Sequence, residues 1–222
     1  MSLYDEKIKS ILFTATGALI SLGSSAAWAA EMATQATAPP VHQANTPQQV
    51  VANLNTALIL AMKTGPSGTY QQRFHIVYPA VRSAFNIPMI GQLTLGTSWN
   101  DLNASQRQQF VETLTKYSAA NYAAHFDHYA GQKFTLSPPQ MVAGGRAIIT
   151  SDLIAKNGMK NQFAYILSKS EGQWQILNVS TDGVSAMAME KAEFTEALQK
   201  VGFKTLIAQL KAHTADLARG HA

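Results

Sequence analysis

The fold is decided by residues 146–181, which read RAIITSDLIAKNGMKNQFAYILSKSEGQWQILNVST. Runs of β-branched and aromatic residues alternate here with Asn157-Gly158 and Glu171-Gly172, pairs that favour tight hairpin turns. A further run of this kind ends before Gly144-Gly145. The pattern predicts four antiparallel strands joined as a meander, at residues 133–142, 146–155, 162–168 and 173–181.

The third predicted strand is apolar on both faces. Phe163, Tyr165 and Leu167 alternate onto one face, while Ala164 and Ile166 share the other. A sheet with one solvated face would instead alternate apolar and polar residues. We therefore expect helices to cover this sheet on both sides, or to cover one side while the other lines a cavity.

Helices are predicted before and after the sheet. Thr46-Pro47-Gln48-Gln49 forms a capping box with proline at the first helical position, and Gly65-Pro66 ends that helix. The longest predicted helix begins at Asn103 and runs to about Gly131. A short apolar segment covers 87–95, and further helices are predicted over 67–85, 185–200 and 203–218. The sequence thus predicts a single α+β domain at residues 46–218, with N-terminal and C-terminal helices packed on a curved four-stranded sheet.

The first 45 residues read as an export signal and a leader. Lys7 and Lys9 precede an apolar run, and Ala27-Trp28-Ala29 fits a cleavage site. We predict that residues 1–29 form a cleaved signal peptide. Residues 30–45, rich in Ala, Thr, Gln and Pro, are predicted to be a flexible leader. Because the chain has no cysteine, no lipid-modified cysteine can follow the signal, and we expect an exported protein that is released in soluble form.

Composition excludes several classes of function. The net charge of +4 is modest, and no run of Lys and Arg is present, so nucleic-acid binding is not predicted. His125 and His128 have a spacing that permits metal binding, but no third ligand is evident. Ser185 is better placed to cap a helix than to act as a nucleophile. We predict no catalytic residue, no metal and no cofactor.

Short segments spread along the chain carry a family resemblance. They are Leu95-Gly96-Thr97-Ser98-Trp99, Gln106-Arg107-Gln108-Gln109-Phe110, Tyr129-Ala130-Gly131-Gln132, Gly172 to Val179, and Asp182-Gly183-Val184-Ser185. In this order and spacing the chain resembles the MlaC family of periplasmic phospholipid shuttles, also called toluene-tolerance or ABC-transporter auxiliary proteins. Asp182-Gly183-Val184-Ser185 and the stretch from Glu190 to Phe194 resemble most closely its HpnM branch, which is associated with hopanoids.

The resemblance implies a fold, a cargo and partners. The fold would be a cone of the NTF2 or cystatin type around an apolar lipid cavity. The cargo would be a phospholipid or a hopanoid. The protein would carry it between an outer-membrane lipoprotein complex and an inner-membrane ABC transporter with its MCE-domain protein. It would not be an enzyme.

A lipid cavity needs apolar walls, and we predict its lining from the helices and the strands. The predicted lipid contacts are Ile90, Leu95, Phe110, Leu114, Tyr117, Ile149, Leu153, Phe163, Tyr165 and Leu167. Arg107, Lys116 and Lys191 are predicted to lie near the phosphate head at the rim. For each of these residues an ordinary core or surface position stays open, and Trp99 and Arg107 can instead fix the start of the long helix.

Two other classes of function remain possible at this stage. One is a small cavity enzyme, an isomerase or hydrolase on an NTF2-like scaffold, for which Asp152 and His75 are the available acid or base. The other is a structural adaptor of the cell envelope, which would have a filled core and no cavity.

Overall fold

The computed structural model describes residues 46–65 and 68–220. The predicted signal peptide (1–29) and leader (30–45) lie outside the described residues, so both stay predictions. Within the described residues the chain forms a single α+β unit, as the sequence predicts. The helices are α1 (Pro47–Thr64), α2 (Tyr70–Ala84), α3 (Ile87–Leu95), α4 (Ala104–His125) and α5 (Ala186–Ala218), with a 3₁₀ turn at Gly96–Trp99.

Helix starts follow the capping chemistry that the sequence predicts. The Thr46 hydroxyl accepts a hydrogen bond from the Gln49 amide at 3.2 Å, with Pro47 in the first turn of α1. Asn103 and Gln106 form a reciprocal capping box at the start of α4. The predicted end of α4 near Gly131 is wrong. The helix stops at His125 because Phe126 leaves helical geometry (φ −99°, ψ 61°) and its ring is fully buried.

The sheet has the predicted antiparallel meander but more strands than the predicted four. Its strands are β1 (Lys133–Leu136), β2 (Gln140–Val142), β3 (Arg146–Ile154), β4 (Lys160–Ser170), β5 (Gln173–Thr181) and β6 (Val184–Ser185). The order is β1-β3-β4-β5-β6, with β2 also pairing with β3. The predicted strand 133–142 divides into β1 and β2 because Pro138 and Pro139 between them carry no N–H to donate.

One face of the sheet forms the core with the helices. Phe163, Tyr165 and Leu167 of β4 are at most 2% exposed, whereas Ala164 and Ile166 on the other face are half-buried. The side of the sheet that faces the helices is therefore the side from which solvent is excluded. None of the helices in the described part combines the length and the apolar composition that crossing a bilayer would require.

The last helix is divided by a glycine. Gly202 has φ 78° and ψ 170°, which is not helical and which favours glycine over any residue with a Cβ. The two predicted helices, 185–200 and 203–218, correspond to the parts on either side of it. The N-terminal segment of α5 (residues 186–201) is held to α3 by the Thr195 hydroxyl, which donates to the Thr94 carbonyl oxygen at 3.3 Å. Phe194, fully buried, anchors the same segment in the core.

Candidate binding cavity

A cavity of about 480 Å³ opens between strand β5 and the N-terminal segment of α5. Its walls come from the residues that join α2 to α3, from the middle of α4, from β5 and from α5. The lining residues are Phe85, Ile87, Ile90, Tyr117, Ser118, Asn121, Tyr122, Leu177, Asn178, Val179, Ala186, Met187, Met189, Glu190, Ala192, Glu193 and Glu196. The volume lies within the range of roughly 300–1,000 Å³ typical of ligand sites.

A β-bulge lets three consecutive residues of β5 line this cavity. Ile166 pairs with Asn178 and Leu167 with Ile176, so Leu177 is an extra residue without a partner in β4. In a regular strand successive side chains point to opposite faces, and three in a row could not share one wall. The bulge bends the strand locally, and Leu177, Asn178 and Val179 all line the cavity.

The turn between α2 and α3 is attached to the edge of β5. The Asn86 amide donates to the Ile176 carbonyl oxygen at 3.0 Å, and Phe85 forms a bridge with Ile176. The Asn86 side chain meanwhile caps α3 by accepting from the Met89 amide at 3.0 Å. This attachment fixes Phe85, Ile87 and Ile90 in the cavity wall beside β5.

Helix α4 contributes two tyrosines. The Tyr117 ring lies 6.3 Å from that of Phe194, centroid to centroid, in an edge-on arrangement. Tyr122 is only 6% exposed, and burial, with a smaller contribution from the nearby Glu190 charge, raises the pKa of its hydroxyl. Burial is also the main cause of the raised pKa of Tyr117. Both hydroxyls therefore stay protonated and can donate hydrogen bonds at neutral pH.

The α5 wall carries three carboxyl groups. Burial, and secondarily the Glu193 charge, raises the pKa of Glu190 to about 8. Burial also raises the pKa of Glu193. Glu196 differs because its hydrogen bond and ion pair with Lys200 lower its pKa. No Lys or Arg is among the residues that line the cavity.

Of the ten predicted lipid contacts, Ile90 and Tyr117 line this cavity. The other eight lie in the packed core, each at most 2% exposed, because the interior between the sheet and the helices is filled by their own side chains. They are Leu95, Phe110, Leu114, Ile149, Leu153, Phe163, Tyr165 and Leu167. Phe110, for example, makes edge-on ring contacts with both Trp99 and Phe194.

None of the three predicted rim cations lines the cavity. Arg107 donates to the carbonyl oxygens of Trp99 at 3.1 Å and Asn100 at 3.2 Å, and its guanidinium lies 5.6 Å from the Trp99 ring centre. It thus fixes the start of α4 to the preceding turn, the alternative that the sequence left open. Lys116 and Lys191 are exposed on α4 and α5.

The suspects for catalysis also lie elsewhere. Asp152 forms an ion pair with Lys160 at 3.7 Å and accepts a hydrogen bond from Gln162, and His75 is exposed on α2. Neither lines the cavity. The buried His125 has its Nδ1 2.7 Å from the Asn121 carbonyl oxygen. Across residues 46–65 and 68–220, no three His, Cys, Asp or Glu side chains come together as a metal site.

Sequence reasoning missed most of the lining. Leu177, Asn178 and Val179 lie inside the segment that carries the family resemblance, but the bulge that brings them together depends on pairing with β4. Glu190 and Glu193 are three residues apart on a helix and so share a face. That spacing was the signal by which sequence analysis could have found an acidic wall.

Comparison with known proteins identifies a family and a shared fold. The MlaC protein family model matches residues 52–212. The binding protein MlaC of the Haemophilus influenzae intermembrane phospholipid transport system is 24% identical over 130 residues, 57% of this chain and 61% of that protein. The chain thus covers less than two thirds of that relative. Toluene tolerance protein ttg2D of Pseudomonas putida is 24% identical over 165 residues, 72% of this chain and 76% of that protein.

A solved structure has the same fold. It is the phospholipid-binding protein of Ralstonia solanacearum, determined in complex with a phospholipid. The two structures superpose with a TM-score of 0.67 at 20% sequence identity, over 78% of this chain and 98% of the other. The predicted fold class is therefore confirmed.

Proposed function

Because the chain belongs to the MlaC family, we propose that it is a lipid carrier which binds a membrane phospholipid or a hopanoid in the cavity beside β5. It works in the periplasm, after residues 1–29 are removed. It exchanges its cargo with an outer-membrane lipoprotein complex and with an inner-membrane ABC transporter and its MCE-domain protein. Two relatives carry names that fit this role, a phospholipid transport binding protein and a phospholipid-binding protein.

The observation that supports this proposal is the cavity itself. Apolar groups from four elements surround a space of about 480 Å³, among them Phe85, Ile87, Ile90 and Leu177. A lipid in water exposes hydrocarbon at a cost of about 0.8 kcal/mol for each methylene group. A carrier has to replace that exposure with apolar contacts, and these walls offer them.

The flexible side chains in the wall suit a hydrocarbon cargo. Met187 and Met189 project from the N-terminal segment of α5, and thioether side chains adapt to irregular apolar surfaces. The proposed adaptor role required a filled core, which this cavity disfavours. The enzyme alternative required Asp152 or His75 at the cavity, and both lie outside it.

Lipid uptake from vesicles tests the proposal. Purified protein is incubated with phospholipid vesicles, separated from them, and its bound lipid is extracted and quantified. We expect the wild-type protein to take up lipid and Leu177→Asp to take up at least fivefold less, because a carboxylate in this wall would have to lose its hydration.

Leu60→Asp is the matched control, since Leu60 is 37% exposed on α1 and does not line the cavity. It should load like the wild type. If the wild-type protein takes up no lipid, the carrier proposal is wrong. If both variants load equally, lipid binds somewhere other than this cavity.

A further inference from the structure

We infer that the cavity selects lipids whose polar end carries a protonated amine, which Glu190 and Glu193 bind. The inference rests on the proposed carrier function and adds a class of headgroup to it. The cargo we assign is a lipid with an ethanolamine-type head, in preference to one with an anionic head such as phosphatidylglycerol.

The α5 wall of the cavity carries carboxyl groups. Glu190 and Glu193 both line the cavity and lie on one face of α5. Among the described residues, neither forms an ion pair or a hydrogen bond with another side chain. Glu196, one helical turn further, is by contrast paired with Lys200 at 2.5 Å. Two neighbouring carboxyl groups beside an apolar wall thus have no cation of their own.

The lysine next in sequence does not provide that cation. Lys191 follows Glu190 directly, and adjacent residues on a helix do not face each other. The Lys191 side chain instead lies beside the backbone at Gly96, where its Cε is 4.0 Å from the position a Cβ would occupy. No Lys or Arg of the described residues lines this wall, so a ligand can supply the cation that binds there.

Hydrogen-bond donors line the other walls of the cavity. Tyr122 lines the cavity and is 6% exposed, yet its hydroxyl has no hydrogen-bond partner within the described residues. Asn178 is 8% exposed, and its Oδ1 already accepts from the Ser185 hydroxyl and the Met187 amide. Because Oδ1 is used in this way, the Asn178 amide nitrogen remains as a donor. Neither of these two donor atoms is among the fully buried atoms that lack a partner, and both residues line the cavity, so a bound ligand can reach them.

Together these groups match one kind of headgroup. An ammonium group can bind between the two carboxyl groups and favours their ionised form, and the phosphate or ester oxygens beside it can accept from Tyr122 and Asn178. A head with a net negative charge would gain no such attraction and would oppose the ionisation of Glu190 and Glu193. The nearby Tyr122 hydroxyl is kept protonated mainly by burial, so it stays a donor. The wall therefore discriminates by the charge of the head, while hydrocarbon contacts supply the bulk of the affinity.

Competition between two headgroups tests the inference. Vesicles contain equal amounts of phosphatidylethanolamine and phosphatidylglycerol with identical acyl chains, and the lipid loaded on the full chain is quantified by mass spectrometry. We expect phosphatidylethanolamine to be enriched about tenfold on the wild-type protein. The double variant Glu190→Gln, Glu193→Gln should lower this enrichment to less than twofold.

Two single variants keep the result interpretable. Glu193→Lys places a cation in the cavity wall and should shift the preference toward phosphatidylglycerol. Glu112→Gln, on the exposed side of α4, should leave the tenfold enrichment unchanged. Free phosphoethanolamine at millimolar concentration should not displace bound lipid, and displacement would show a site for a small amine rather than for a lipid.

The outcomes separate the two proposals. Absence of any lipid uptake by the wild-type protein would overturn the carrier function. Uptake without headgroup preference, or a preference that survives in both the double variant and Glu193→Lys, would overturn the present inference and leave the carrier function standing.

Discussion

Replacing Glu190 by glutamine should stabilise the lipid-free protein at alkaline pH and have little effect at acid pH. Glutamine keeps the size of the side chain and removes the carboxyl that burial keeps protonated. The pKa of Glu190 in the folded protein is about 8, compared with 4.5 for an unperturbed glutamate. Between those two values the folded state holds a proton that the unfolded state has lost.

The sign and size of the effect follow from this difference. Since the folded state binds more protons, the free energy of unfolding falls as pH rises from 4.5 to about 8 and is level beyond it. A change of one pKa unit corresponds to about 1.4 kcal/mol. Water at the cavity mouth screens the half-buried Glu190. We therefore expect Glu190→Gln to raise the free energy of unfolding at alkaline pH by about 1–3 kcal/mol, which is less than the whole pKa difference would give.

The assay is urea denaturation of lipid-free wild-type and variant protein at pH 4.5, 6.5 and 9. The stability gain of Glu190→Gln should be near zero at pH 4.5 and should grow to its full value at pH 9. Glu196→Gln is the control, because Lys200 lowers the pKa of Glu196 and its replacement should bring no gain that grows with pH. Parallel stability curves for wild type and Glu190→Gln would refute the reasoning.

Three further changes test individual features. Tyr165→Phe removes a buried hydroxyl that has no hydrogen-bond partner, so thermal denaturation should show equal or higher stability, by up to about 1 kcal/mol; a clear loss would reveal a partner. Gly202→Ala forces a Cβ into a backbone conformation open mainly to glycine and should lower the free energy of unfolding by about 1–3 kcal/mol. An unchanged midpoint of thermal denaturation would mean that the protein does not keep the break in α5 at this residue. Arg107→Gln removes two hydrogen bonds to carbonyl oxygens and should lower the free energy of unfolding by about 1–2 kcal/mol without changing lipid uptake. Reduced uptake would instead support the predicted position of Arg107 near the lipid headgroup.

The elements that the sequence predicted well are those set by local chemistry. Thr46 and Asn103 cap their helices, and the pairs Asn157-Gly158 and Glu171-Gly172 lie at the predicted turns between strands. The errors come from interactions that are not local. The end of α4 depends on the burial of Phe126. The predicted strand 133–142 ran through Pro138 and Pro139, where the structure has a break between β1 and β2.

The cavity was harder to predict than the fold. Alternation in β4 shows which side chains face inward, but not which part of the interior stays empty. From the sequence alone, Leu167 and Phe163 are as good candidates for cavity-lining residues as Leu177. In the structure, however, both are buried in the packed core. The spacing of Glu190 and Glu193 places them on one helix face, but their position beside β5 depends on the burial of Phe194.

Native mass spectrometry of gently purified protein tests the central claim most directly. We predict a complex of one chain with one lipid, whose extracted lipid is a phospholipid or a hopanoid, and a loss of that complex in Leu177→Asp. A bare protein mass that persists after incubation with vesicles would contradict the claim that the space beside β5 binds lipid.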